Sequence, residues 1–234
     1  MKKSQNSFNI GLVLLSPDFR VIGMNRYARG LLGLAVTDLG KSVFHYHTRK
    51  SHSKIEYLME KSSEPDPDMP VAMIIDVLNK ALMINLSRLD MSQGSSESLF
   101  SMTFIDVTEE TEAKMNPNSG MVEMKKFPVC YKDSFLFLDV SSIYFIRSDG
   151  NYCKIFTEKR SYHLHLTLNN ILKRYAGLHL FRFHKCFIAN LQYVQKIKRI
   201  EKGQSILIFN NESIPPIPVA RRRIKVLKKA LAIQ

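Results

Sequence analysis

A polar stretch from Glu109 to Gly120 interrupts the sequence once, and it constrains the fold more than any other feature. Its Pro-Asn-Ser-Gly run at 117–120 is typical of turns and linkers, whereas the segments on either side are rich in short apolar runs. A chain of 234 residues is long enough for two domains of about 110 to 120 residues each. We therefore expect an N-terminal domain at 1–115, a linker at 116–121 and a C-terminal domain at 122–234.

The net charge divides at the same place. Residues 1–115 carry 13 Lys or Arg and 14 Asp or Glu, a net charge of −1, whereas residues 116–234 carry 21 and 7, a net charge of +14. A domain with that excess repels itself unless it binds a polyanion, and DNA is the commonest such partner. The alternative is a basic surface with no polyanionic partner. Because the charge is confined to one half, the pattern favours DNA binding.

The chain carries no sequence sign of a membrane span or of a disulfide framework. Its apolar runs, such as Ile10 to Leu15, are far shorter than the roughly 20 residues that a membrane span needs. Cys130, Cys153 and Cys186 are widely spaced and include no CxxC pair, so neither paired disulfides nor a zinc site is predicted. We expect a cytoplasmic protein that has no signal peptide and does not bind membranes.

The N-terminal half is predicted to mix strands with helices. Asp106 and Glu109 stand in capping-box positions, which predicts a short helix that leaves the last strand. The order of elements resembles a PAS sensor domain, which implies an antiparallel sheet with helices, and Asp106-Val107-Thr108 is similar to the Asp-x-Thr ending common in that family. The predicted elements are strands at 10–15 and 20–25, a helix at 27–34, a helix from His47, a hairpin of 71–77 with 81–89, and a strand at 99–106.

The C-terminal half is predicted to be mostly β, which excludes a helix-turn-helix as its main feature. Helices are expected only at 167–175 and 222–231. With the mixed N-terminal half, this makes the whole chain α+β. The predicted strands are 127–131, 134–139, 143–148, 152–157, 161–164, 194–201 and 204–210.

Three segments of this half concentrate groups that can meet phosphates or base edges. The first, 147–152, contains a glycine that permits a tight turn and an amide that can pair with a base. The second, 181–190, alternates aromatic residues with hydrogen-bond donors, as a strand with one buried and one exposed face would. The third, 218–223, ends an apolar strand in three arginines, whose guanidinium groups suit guanine or phosphate.

These segments resemble the LytTR family of bacterial transcription regulators. The similarity runs through IYFIRSDGNYCKIFT, LFRFHKCFIANLQYVQKI and IPVARRR. It implies an elongated β fold that inserts loops into successive major grooves of double-stranded DNA, usually as a homodimer on repeated sites. Lys185 and Ala220 depart from the residues common in the family, so the resemblance does not imply the family's preferred operator. The resemblance implies base contacts by Asn151, Lys185 and Arg221 and phosphate contacts by Arg182, His184, Arg222 and Arg223; the alternative for His184 is a side chain that holds its own loop.

The N-terminal half also resembles the haem-containing PAS domain of the RcoM-type carbon-monoxide regulators, which end in LytTR as well. The similarity lies in FHYHTRKSHSKIEYLME, PVAMIIDVLNKALMINLSRL and FIDVT. It implies haem b with His47, which opens the HxxKS motif, as proximal ligand and Met73, in VAM, as the ferrous distal ligand that CO replaces. The family also uses a Cys between these two ligands on ferric iron, whereas this chain has no Cys before Cys130.

The resemblance implies that CO binding releases the strand of Met73 and so repositions two DNA-binding domains. One alternative keeps the DNA-binding half and makes the PAS domain a cofactor-free dimerisation or interaction module, or a site for another ligand. A second alternative is an enzyme such as a haem peroxidase or a nuclease. The seven carboxylates of the C-terminal half form no paired metal-ligand motif, so we expect a regulator that is not an enzyme.

Overall fold

The computed structural model divides the chain into two compact units, Met1–Glu109 and Glu110–Gln234. Each unit is described by itself. No helix in the described part of the chain is both long and apolar enough to cross a membrane. The described residues are 10–47, 49–63, 72–77, 80–90, 98–118, 121–131, 134–150, 152–200 and 203–230.

Unit 1 is built on a five-stranded antiparallel sheet in the order β2-β1-β5-β4-β3. The predicted strands and helices are confirmed within one to three residues at most ends, as expected for boundaries read from a sequence. Single 3₁₀ turns at Val36–Asp38 and Val43–Tyr46 connect the two helices. The elements are β1 (Ile10–Leu15), β2 (Val21–Met24), α1 (Arg26–Leu32), α2 (Arg49–Ser63), β3 (Ala72–Val77), β4 (Lys80–Asp90) and β5 (Ser98–Asp106).

Helix α1 begins and ends at residues suited to those positions. The Asn25 side chain accepts a hydrogen bond from the Ala28 N–H at 2.8 Å, and Gly33 closes the helix in the left-handed conformation, with φ of 65°. The helix lies close to the sheet at Gly11, where an added Cβ would come within 3.3 Å of the Ala28 Cα. A glycine at position 11 therefore permits this close packing.

One face of the sheet forms the core of unit 1 with the helices. Leu82, Ile84 and Phe104 from the central strands are buried there with Leu31 of α1 and Met59 of α2. The predicted apolar face of α2 is confirmed at Met59, which is 2% exposed.

The predicted helix after Asp106 is wrong. Residues 108–112 form turns, and the Asp106 carboxylate accepts hydrogen bonds from the Thr108 N–H at 3.1 Å and hydroxyl at 2.6 Å. Its other oxygen lies 2.6 Å from Lys80 Nζ, and the Thr108 hydroxyl accepts the Ala81 N–H at 3.1 Å. Burial would raise the pKa of Asp106, but these hydrogen bonds hold it below its usual value. The carboxylate thus joins the end of β5 to the start of β4 instead of capping a helix.

Unit 2 is mostly β, as predicted. Its main parts are a five-stranded sheet in the order β12-β11-β10-β14-β13 and a three-stranded sheet in the order β15-β16-β17, both antiparallel. The elements are β6 (Lys114–Asn116), β7 (Met121–Glu123), β8 (Lys126–Tyr131), β9 (Ser134–Asp139), β10 (Ile143–Asp149), β11 (Tyr152–Thr157), β12 (Ser161–Leu164), α3 (Leu168–Arg174), β13 (Leu180–His184), β14 (Phe187–Asn190), β15 (Val194–Arg199), β16 (Ser205–Phe209), β17 (Ile217–Val219) and α4 (Ile224–Ala230).

The two larger sheets share a core rich in aromatic residues. Phe145 stacks on Phe156 at 4.2 Å and on Phe209 of the three-stranded sheet at 5.6 Å between ring centroids. Phe183 is fully buried in the same cluster, and Leu227 anchors α4 to it. Because side chains of both sheets pack in this one core, the two sheets have a fixed arrangement within unit 2.

The segment predicted as a linker contributes to a small hairpin of unit 2. Strands β6 and β7 pair across it, from Lys114↔Glu123 to Asn116↔Met121. The chain then continues to Phe127, whose ring stacks on Tyr175 at 3.6 Å, directly after α3. The limits 1–115 and 122–234 stay a prediction, and the two compact units of the structure meet at Glu109.

Candidate functional sites

The three predicted DNA-contacting segments meet at one end of unit 2. The Ser148 N–H donates to the Cys186 carbonyl oxygen at 2.9 Å, which joins the first segment to the second. The Ala220 N–H donates to the Phe183 carbonyl oxygen, also at 2.9 Å, which joins the second to the third. These bonds join residues 38 and 37 positions apart in the sequence and bring the three segments together, with the turn between β13 and β14 between the other two.

Arg182 holds the central turn through its guanidinium group. Its Nε donates to the His184 carbonyl oxygen at 3.3 Å, and one terminal nitrogen donates to the Lys185 carbonyl oxygen at 2.6 Å. The other terminal nitrogen donates to Asn169 Oδ1 on α3. Because these donors are engaged by acceptors of the same domain, the geometry favours a role in positioning the turn. The phosphate contact predicted for Arg182 stays a prediction.

His184 also bonds within the turn. Its Nδ1 accepts a hydrogen bond from the Cys186 N–H at 3.2 Å. Because a backbone N–H can only donate, Nδ1 carries no proton in this arrangement. Burial lowers the pKa of His184, and the charges of Lys185 and Arg182 lower it further, so the imidazole is neutral at pH 7. This is the loop-holding arrangement that the sequence left open. The phosphate contact by His184 stays a prediction.

Within the three segments, the exposed cations among the described residues are Lys185 and the run Arg221–Arg223. The three arginines form a 3₁₀ turn between β17 and α4, and no ion pair ties them to any other described residue. Their guanidinium groups are therefore available to an external anion. Lys185 stands at the tip of the central turn with its side chain exposed.

The first segment supplies a tight turn between β10 and β11. Gly150 has φ of 57°, the left-handed conformation that favours glycine. Arg147 lies 3.7 Å from Asp149 and over the Phe156 ring at 5.6 Å, so its charge is partly engaged within the domain. Asn151, the predicted base contact of this turn, lies outside the described residues.

We expect Arg182→Ala to lower affinity for a specific DNA site about fivefold, since loosening the turn loses on the order of 1 kcal/mol of positioning. Arg182→Lys is expected to rescue little of it, because an ammonium group cannot make three fixed planar contacts. Fluorescence anisotropy with specific and random duplexes measures the effect. A phosphate contact predicts instead that Lys restores most of the affinity and that both duplexes weaken equally.

In unit 1, the predicted haem ligand His47 lies between a 3₁₀ turn and helix α2. Its N–H donates to the Phe44 carbonyl oxygen at 3.2 Å, and His52 Nε2 lies 3.3 Å from the His47 carbonyl oxygen. The His52 ring packs against Phe44 at 5.0 Å. The His47 side chain is exposed to solvent. Partial desolvation by the surrounding protein nevertheless lowers the pKa of His47, and the nearby charge of His52 lowers it further. The imidazole is therefore neutral at pH 7, the form that can bind a metal.

Met73 lies on β3, an edge strand of the sheet. Its pairing partner is Ile84, whose side chain belongs to the core on the helix-covered face. The Met73 side chain lies outside the described part of the structure. His45, two residues before His47, is exposed and packs edge-on against Tyr46 at 5.3 Å.

The comparisons with known proteins divide between the two units. Residues 133–232 match the family described as the LytTr DNA-binding domain. The sensory transduction protein LytT of Bacillus cereus is 27% identical over 124 residues, which cover 53% of this chain and 50% of that protein. The match to this DNA-binding domain family therefore lies within unit 2.

Two other relatives match nearly the whole chain. The heme-containing CO-sensing transcriptional regulator RcoM 2 of Paraburkholderia xenovorans is 28% identical over 244 residues, covering 97% of this chain and 90% of that protein. The CO-responsive transcriptional regulator RcoM of Rhodospirillum rubrum is 23% identical over 228 residues, covering 95% and 94%. Both relatives are transcriptional regulators, which confirms the prediction that the chain is not an enzyme.

Proposed function

From the premise that this chain is a transcription regulator of the RcoM type with a LytTR DNA-binding domain, we propose that it senses carbon monoxide at haem b in unit 1. The observation that carries the proposal is the similarity to heme-containing CO-sensing regulators over 97% of the chain, which includes both units. The first unit is the sensor, and the second binds promoter DNA.

The proposed sensor is a PAS domain. Support comes from the order of elements, two strands followed by helices and three more strands, and from the antiparallel sheet with strands in the order β2-β1-β5-β4-β3. We take the sensor as residues 1–115, the linker as 116–121 and the DNA-binding domain as 122–234. The division of the structure at Glu109 lies close to the first of these limits.

His47 and Met73 are the proposed haem ligands. The lowered pKa of His47 favours the neutral imidazole that ligation requires, and among the described strands Met73 lies on β3, which pairs only with β4. The sequence has no CxxCH motif for covalent attachment, which is why we propose the b type. When bound, haem would supply a ferrous iron at which CO can replace a soft thioether ligand.

The chain's own residues offer a path from Met73 to the end of unit 1. The strand of Met73 pairs from Ala72 to Val77 with β4, and β4 begins at Lys80, which is bound to Asp106 at 2.6 Å. A change in the edge strand would therefore act first on β4 and then on the Lys80–Asp106 contact, three residues before unit 1 ends. CO changes DNA affinity only if the two conformations bind DNA unequally.

DNA binding is proposed to occur as a homodimer on repeated operator sites in the cytoplasm. Asn151, Lys185 and Arg221 are the proposed base contacts, and Arg222 and Arg223 the proposed phosphate contacts. The exposed position of Lys185 and of the three arginines supports these roles. Two described cysteines, Cys153 and Cys186, are free thiols, which suits a reducing compartment.

The test combines an absorption spectrum with DNA affinity. We expect purified protein to show a Soret band that moves with dithionite and again with CO, and to bind a selected duplex more tightly with CO. Equal affinity with and without CO would remove the proposed switch. A protein that stays colourless after haem reconstitution would favour a cofactor-free interaction module.

Met73→Leu tests the distal ligand separately. We expect the variant to keep haem, to change from a six- to a five-coordinate ferrous spectrum, and to bind CO more tightly because no thioether competes. Met83→Leu is the matched control, since Met83 pairs with Ile74 and so belongs to the opposite face of the sheet from Ile84. An unchanged ferrous spectrum for Met73→Leu would assign the ligand to another residue.

A further inference from the structure

The turn between β15 and β16 lies at the same end of unit 2 as the three DNA-contacting segments. In the three-stranded sheet, Arg199 of β15 pairs with Ser205 of β16, which pairs with Val219 of β17. The next residue, Ala220, bonds to Phe183 beside the central turn. The backbone register therefore brings Arg199 to the level of the arginine turn 221–223, two strands away.

Arg199 is an exposed cation with no ion pair among the described residues. It ends an edge strand, and its guanidinium lies 3.9 Å from the position that a Cβ on Gly203 would occupy, beside its own turn. Gly203 has φ of 71°, which allows the chain to reverse tightly there. Glu201 and Lys202, which precede Gly203 in the sequence, lie outside the described residues.

The opposite end of unit 2 has no comparable surplus of charge among the residues described. The turn between β11 and β12 carries Glu158, Lys159 and Arg160, and Asn211, two residues after β16 ends, donates to the Glu158 carboxylate at 3.0 Å. Glu212 lies next to this contact and is exposed. The positive charge is therefore polarised toward the end that holds Lys185 and Arg221–Arg223, where it matches an extended polyanion.

We propose that Arg199 is a phosphate contact on the DNA backbone, beside the groove that the central turn enters. Two strand spacings amount to about 10 Å, which corresponds to about three base pairs of duplex rise. The contact would lengthen the footprint of the domain on one side without reading any base. This inference rests on the proposed DNA binding by unit 2.

The test measures the salt dependence of DNA binding by the full-length protein. The probe is a fluorescein-labelled 40-base-pair duplex of random sequence, because a phosphate contact does not depend on sequence. We expect Arg199→Ala to reduce the slope of log K against log salt by about 0.9, and affinity about eightfold at 0.1 M salt. Arg199→Lys should keep most of the slope, since it keeps the charge.

Lys159→Ala, which removes one exposed cation from the opposite end, is the matched control and should leave the slope unchanged. Circular dichroism should show that all variants keep the wild-type fold. An unchanged salt slope for Arg199→Ala would overturn the proposal, because it would show that Arg199 makes no phosphate contact. An equal fall in slope for Lys159→Ala would also overturn it, because the effect would then come from net charge alone. If wild-type protein fails to bind the duplex, the proposed DNA binding itself is wrong.

Discussion

Replacing His47 with alanine is expected to abolish the Soret band of the reconstituted protein. A neutral imidazole supplies the proposed proximal ligand. In metal sites, removal of a residue that only hydrogen-bonds to a ligand already lowers metal affinity about 10- to 100-fold. Loss of the ligand itself should therefore lower haem affinity at least about a hundredfold. Titration of the apoprotein with haemin, followed by absorbance, measures the change.

His45→Ala is the matched control for this prediction. His45 is exposed two residues earlier on the same connection, and its ring packs only against Tyr46 among the aromatic contacts described. We expect haem affinity close to that of the wild type. An intact Soret band in the His47 variant, together with a lost band in the His45 variant, would exchange the assignments of the two residues.

Replacing Arg221 with alanine should give the largest loss of sequence-specific DNA binding. A bidentate contact to guanine is worth about 1–3 kcal/mol, so affinity for a selected duplex should fall about 5- to 150-fold. Affinity for random duplex should fall much less, because a base contact contributes little there. Anisotropy titrations with both duplexes at one salt concentration separate the two effects.

Arg223→Ala provides the comparison, since Arg223 is exposed in the same 3₁₀ turn and is proposed to bind phosphate. Its removal should weaken binding to selected and random duplexes by the same factor. If Arg221→Ala also weakens both equally, Arg221 binds phosphate and the base contact must be sought at Lys185 or Asn151.

Periodicity predicted most elements of both units because each depends on local patterns of apolar residues. The α2 helix and the hairpin of β3 and β4 follow directly from such patterns. The failure at Asp106 has a local cause as well. An aspartate followed two residues later by threonine can cap a helix or close a turn, and Lys80, 26 residues away, supports the turn here.

Residue roles within the proposed DNA-contacting surface were less predictable than the position of that surface. Arg182 and His184 have side chains typical of phosphate contacts, and only the folded turn shows that their donors and acceptors serve the backbone of residues 184–186. The signal in the sequence was the alternation around Phe183, which indicates that the flanking side chains share a face. The alternation does not indicate which of these side chains form hydrogen bonds within the domain.

The sequence by itself determined the division into two units, the predominance of strands in the second, and the net positive charge of that half. These properties depend on composition and local pattern, which need no knowledge of long-range pairing. The tertiary structure alone decided that three separate segments share one surface and that Arg199 lies beside it. Strand register and interstrand hydrogen bonds set those neighbours, and they form between residues far apart in the chain.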